Sequence, residues 1–196
     1  IAQPYKTIKP VTPYKWMIGL NWTAIDDDGY PFSKIFSVGQ SWSITPFPSR
    51  ITVDRYLKKG LSVEAATSFS MLKGTRIING VVGAPGNMIT VDLHAKYAFY
   101  YLYAPKTKWF DPYVTIGAGY TYRTNAPKIT HAPSLNFGIG FNFWLVQSFG
   151  IQLGSTCKFG LTPKIWKTSA NYFNHTAGVV YRFDRAKKNT SSDKKR

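Results

Sequence analysis

From Trp16 to Phe183 apolar and polar residues alternate with a period of two, in segments of roughly ten to fourteen residues split by Gly, Pro, Asn and Lys. A period of two marks strands whose two faces meet different surroundings. The pattern predicts strands at Lys15–Ile25, Ser49–Leu57, Leu61–Leu72, Met88–Tyr103, Phe110–Tyr122, Ser134–Val146, Ile151–Leu161 and Asn171–Phe183. The fourth is the cleanest. It sets Ile89, Val91, Leu93, Ala95 and Tyr97 against Thr90, Asp92, His94 and Lys96.

The chemistry of the two faces decides the fold class. The polar faces consist chiefly of Gly, Asn, Ser and Thr, as in Asn136, Gly138, Gly140 and Asn142 of the sixth strand. A face open to water carries far more Lys and Glu. Small residues fit the bore of an eight-stranded barrel, which has room for side chains and little else. The opposite faces are bulky, apolar and edged with aromatics, as expected against lipid. Ten residues rising about 3.3 Å each, tilted by roughly 40°, span about 25 Å, the height of the apolar band in such barrels. Long connections (26–48, 73–87, 123–133, 162–170) alternate with short ones (58–60, 104–109, 147–150). That is the surface-to-periplasm asymmetry of bacterial barrels. The expected fold is all-β, an eight-stranded antiparallel up-and-down transmembrane barrel over residues 15–183. Its location is expected to be the bacterial outer membrane, with both chain ends in the periplasm.

Composition sharpens this picture. Apolar residues make up 44% of the 196, yet no run of eighteen occurs, which excludes a transmembrane helix. Aromatics reach 16%, and Tyr and Trp settle where hydrocarbon meets water. The net charge of +16 comes from 25 Lys and Arg against nine Asp and Glu. The basic residues lie mostly between the apolar segments and in the tail, and no nucleic-acid-binding motif accompanies them, so no nucleic-acid partner is expected. Cys157 is the sole cysteine, which rules out an intrachain disulfide. Residues 1–14, with Pro4, Pro10 and Pro13, form an expected periplasmic N-terminal extension. Residues 184–196 form an expected basic, flexible periplasmic tail or linker. Ile1 is not an initiator Met, which fits either a removed signal peptide or a fragment.

The segment Arg50-Ile-Thr-Val-Asp-Arg-Tyr-Leu57, preceded by Pro46 and Pro48, resembles the second strand of OmpA-type outer-membrane proteins of Bacteroidota. Asn171 to Phe183 resembles the closing strand of the same barrels. The terminal aromatic Phe183 is similar to the signal read by the barrel-assembly machinery. The resemblance implies a structural role in stabilising the envelope. It also implies anchoring to peptidoglycan through a periplasmic part that these residues do not contain. The alternative is an accessory barrel in a larger outer-membrane complex for assembly, secretion or uptake.

Charges predicted to face the bore are Asp54, Glu64, Asp92, Lys96, Lys158 and Arg182. In so narrow a space they must pair, because an unpaired buried ion costs several kcal/mol. A plug of ion pairs is the expected outcome, with Glu64, Lys96 and Arg182 in one network; a gated ion path is the competing reading. His94, His131 and His175 have no metal-ligand spacing, so neither metal nor cofactor is expected. A lipid-modifying site assembled from Asp26, Asp27, Asp28 and Ser33 with a surface histidine is the enzymatic alternative, and no enzyme is expected. Basic loop residues such as Lys73 and Arg76 would face lipopolysaccharide phosphates. Other outer-membrane proteins are the remaining candidate partners.

Overall fold

The computed structural model describes residues 14–28, 36–82, 85–99, 109–124, 131–162 and 171–185. The expected N-terminal extension up to residue 13, the tail from residue 186 and Ser33 lie outside the described residues. The strands in chain order are β1 (Tyr14–Asp26), β2 (Trp42–Ile44), β3 (Arg50–Lys58), β4 (Leu61–Leu72), β5 (Ile77–Ile78), β6 (Val81–Val82), β7 (Gly86–Ala98), β8 (Phe110–Arg123), β9 (His131–Trp144), β10 (Phe149–Gly160) and β11 (Tyr172–Arg185). Each long strand pairs with its chain neighbour, and β11 pairs back onto β1. The result is a closed, antiparallel, eight-stranded barrel.

Its size and tilt follow from the register. The pairs Trp16–Arg55, Arg55–Val63, Val63–Ala95, Ala95–Ile116, Ile116–Phe137, Phe137–Cys157, Cys157–Phe173 and Phe173–Asp26 circle the barrel once. The circuit starts at Trp16 and returns to β1 ten residues further on, at Asp26. With about 4.8 Å between strands and about 3.3 Å per residue, that stagger tilts the strands by roughly 40°.

The period-two faces are the inner and outer walls. On β7, Val91 and Leu93 are each 59% exposed, whereas Asp92 between them is 2% exposed. Bulky side chains point outward on every long strand, and the polar set points inward. Aromatic groups ring the outer wall at both ends. Trp109, Phe110, Phe141 and Phe143 stack near the short turns, and Phe47 on Phe69 near the long loops. Gly119 lies where β8 passes the bore: a Cβ there would collide with the Asp92 carboxylate and the Asn136 amide.

Three connections differ from expectation. The first long loop contains β2, which pairs with the same edge of β1 as β3 does. Three extra residues bulge out between Ile44 and Arg50, and Pro46 and Pro48, which have no N–H to donate, sit in that bulge. The second long loop contains the β5–β6 hairpin, turned at Asn79 and Gly80 with φ of 50° and 80°. The fourth predicted strand ends at Ala98, short of Tyr103, and residues 100–108 lie outside the described set.

Leu93→Arg puts a guanidinium on the outer belt, level with the middle of β7. It should cost about 2–4 kcal/mol in urea unfolding from lipid vesicles. A change within about 0.5 kcal/mol, typical of a solvated surface position, would mean that this face meets water.

Candidate functional site

The inward face of the strands builds a stack of layers along the bore. In the middle lies a charged layer. Lys96 Nζ is 3.0 Å from Asp54 and 3.1 Å from Glu64. Arg50 reaches Glu64 at 3.5 Å and Asp92 at 3.3 Å, and Lys158 reaches Asp92 at 2.6 Å. Three carboxylates thus meet three cations, and the formal charge of the layer is zero. Ser62 donates to Asp54, and Asn136 donates to Asp92 at 3.0 Å. The same Asn136 amide lies 3.2 Å from His94 Nε2, and His94 Nδ1 lies 3.4 Å from Glu64. The His94 ring thus stands between Asn136 and Glu64. The Lys96 ammonium also rests over the Tyr113 ring at 4.3 Å.

Burial shows what this layer does. Lys158 is 0% exposed, Lys96 2%, and Asp54 and Glu64 5% each. Side chains lining a wide channel would be far more exposed. The bore at this level is closed by these side chains. Next to it, on the side of the long loops, hydroxyls bridge the strands: Thr23 to Ser49 and Ser70, and Ser68 to Thr90. Towards the turns the bridging groups are amides, with Asn21 donating to Gln152 and Gln152 to Asn142.

Both mouths carry apolar covers. At the long-loop end Ile25, Leu72, Met88, Ala132 and Tyr172 pack together with Ile78, supplied by the β5–β6 hairpin. The hairpin is held over the mouth by hydrogen bonds from Asn79 N to Asp27 O and from Ile77 N to Gln40 O. Arg123 pairs with Asp27 and lies over the Tyr172 ring. At the turn end Met17, Trp144 and Val180 form the second cover.

The structure therefore brings together Asp54, Glu64, Asp92, Lys96 and Lys158, and adds Arg50 and His94. The strand period already places Arg50 on the polar face with Thr52 and Asp54. Arg182 also turns inward, at the turn end of the bore. Its guanidinium lies 3.6 Å from the Trp144 ring centroid at the turn end, and its Nε donates to Gln147 O at 2.7 Å. Its inward direction was legible, its level along the axis was not. Phe183 faces outward and stacks on Tyr181 in the aromatic ring at the same end.

Of the candidate enzymatic residues, the structure places Asp26 and Asp27 on opposite sides of the wall, and Ser33 lies outside the described residues. Asp27 is inside with Arg123, while Asp26 is on the outer side. Asp26 accepts from Ser41 Oγ and from Phe36 N. His175 lies 3.8 Å from Asp26 and stacks on Trp42 at 4.4 Å, with Phe36 and Phe173 beside it. Asp26 thus fastens the Phe36–Trp42 segment to the outer rim. Ser41 is fully buried. His131 stacks on Tyr120 on the outer wall. Among the described residues no group of His, Cys, Asp or Glu is arranged to hold a metal ion.

Solved structures with the same fold are outer-membrane barrels. The N-terminal β-barrel domain of Pseudomonas aeruginosa OprF matches with a TM-score of 0.53 and 16% identity, covering 87% of this chain and 98% of that one. OprG of the same organism matches at 0.56 and 14%, covering 88% and 97%. Neisserial surface protein A matches at 0.55 and 12%, covering 87% and 97%. The sequence matches no family model. No curated protein matches it either. What is shared is the fold: this chain is an eight-stranded barrel of the outer-membrane kind.

Two measurements probe the site. Asp92→Asn leaves Lys158 and Arg50 short of counter-charge and should cost about 3–5 kcal/mol. Adding Lys158→Met should recover part of that loss in a double-mutant cycle, whereas strictly additive effects would mean that the two are not paired. Asp26→Asn should speed chymotryptic cleavage after Phe36 without lowering barrel stability. An unchanged cleavage rate would mean that this carboxylate does not hold the segment.

Proposed function

We propose that this chain is a structural outer-membrane barrel of OmpA type, of the kind found in Bacteroidota, that stabilises the cell envelope and catalyses no reaction. One observation carries the reading: the bore is filled by a self-neutralising charged layer with an apolar cover at each mouth. Such a barrel does its work through its wall and its ends. On this reading the turns and both chain ends face the periplasm, and the basic long-loop side, with Lys73 and Arg76, meets lipopolysaccharide phosphates. Phe183 is the residue read by the barrel-assembly machinery. Anchoring to peptidoglycan belongs to a periplasmic part outside these residues. The likeness to OprF, whose matching part is described as an N-terminal domain, supports that arrangement.

A second reading has its own observation. Val81 and Val82 of the β5–β6 hairpin are 60% and 63% exposed beyond the barrel mouth. Apolar surface there favours an accessory subunit that docks a larger outer-membrane complex.

Planar-bilayer recording and peptidoglycan sedimentation test the proposal together. The purified barrel should carry no steady current, and the full-length native product should co-sediment with peptidoglycan. Steady conductance would replace the structural role with a pore. Failure to sediment, combined with stoichiometric co-purification of other outer-membrane proteins, would favour the subunit.

A further inference from the structure

The β3–β4 hairpin presents a cluster of cations that the bore and its covers do not use. Arg55 points outward from the last part of β3, and its guanidinium lies 4.8 Å from the ring centroid of Trp16 on β1. Lys58 ends β3 and Lys59 follows in the turn, both exposed. The acids of the same hairpin, Asp54 and Glu64, point into the bore, where Lys96 and Arg50 engage them. Among the described residues no carboxylate lies within ion-pair distance of Arg55, Lys58 or Lys59.

The turn holds these charges in place. Lys59 and Gly60 have φ of 48° and 84°, the left-handed pair of a tight hairpin turn. Asn or Asp is the usual occupant of the first position, so a lysine there is uncommon. The Gly60 N–H donates to Tyr56 Oη at 3.3 Å, and Gly60 O accepts from Ala98 N. Next to the charges, Leu57 is 50% exposed on the outer wall. Indole rings such as that of Trp16 favour the level of the lipid headgroups.

We propose that Arg55, Lys58 and Lys59, with Trp16 and Leu57, form a docking site for an anionic phospholipid in the leaflet at the turn end. The planar guanidinium and the two ammonium groups receive the headgroup phosphate. Leu57 and Trp16 contact the glycerol and the upper acyl chain. That apolar floor selects a membrane lipid over a soluble phosphate. The site depends on the lipid-facing belt and not on envelope anchoring, so the two readings can fail separately.

Native mass spectrometry of the barrel in dodecyl maltoside, titrated with dioleoyl phosphatidylglycerol or dioleoyl phosphatidylcholine, tests the site. The wild type should retain phosphatidylglycerol more tightly. Arg55→Gln, Lys58→Gln and Lys59→Asn, the last chosen because Asn suits the turn, should each weaken that retention roughly five-fold. Lys73→Gln at the opposite end should leave it unchanged. Equal retention of the two lipids by the wild type, or undiminished retention of phosphatidylglycerol by the triple variant, overturns the site. Displacement of the lipid by millimolar inorganic phosphate would also overturn it, by showing a site for soluble anions.

Discussion

Hydrocarbon offers a peptide N–H no hydrogen-bond partner, so a sheet exposed to lipid cannot leave an open edge. In this chain β11 must return to β1, and it does so along nearly its whole length, from Tyr14–Arg185 to Asp26–Phe173. Closure with eight strands and a ten-residue stagger fixes the radius, and the radius fixes the bore. At that width the interior cannot remain a water channel once ordinary side chains enter it. Gly119, Gly138 and Gly154 occur where the wall passes bulkier groups, such as Asp92 beside Gly119 and the Tyr113 hydroxyl beside Gly154.

The same narrowness explains the charged layer. A lysine at 0% exposure is tolerable only where carboxylate oxygens stand in for water. Each cation in the layer has such a partner, and Asn136 links the two halves by touching both Asp92 and His94. Pairing drawn from β3, β4, β7 and β10 makes the layer a cross-brace as well as a plug. It ties strands that are far apart in sequence, which specifies one register over its neighbours. Whatever ions approach this molecule meet a neutral interior. The chain's large positive charge lies elsewhere, in the segments between strands and towards the chain ends.

Strand parity was legible in the sequence almost everywhere. Leu61–Leu72 coincides with the predicted segment, and the inward or outward direction of each candidate charge is as the alternation implies. What the alternation cannot give is height. A residue's level along the axis depends on the stagger summed around the barrel, because the hydrogen-bonding direction itself climbs the wall. Arg182 faces inward as expected, and its level is seen only in the structure, where it sits over Trp144 and Tyr14 near one mouth. The cover at the other mouth had a local signal. Asn79-Gly80 between Ile78 and Val81 is the pattern of a tight hairpin, although it lies inside a segment with too few alternating residues to count as strands. Asp26 behaves differently again. Its outer position follows from parity, but its partners come from the returning Phe36–Trp42 segment, and no period predicts a loop folding back on the wall.

A barrel that is closed, neutral and braced inside can interact only through its wall and rims, and these differ from one another. At the long-loop rim the Asp26 carboxylate holds Phe36 and Ser41, and the Asp27 and Gln40 carbonyls hold the β5–β6 hairpin. Loops held by few bonds over a rigid wall are free to diverge without cost to the barrel. The turn rim is tighter, with two left-handed residues in a single turn and aromatic rings stacked along β8 and β9. Conservation of fold with OprG and OprF at 14% and 16% identity follows naturally from this division. Closure and burial constrain the residue class at each wall position, whereas neither constrains the exposed positions of the rims.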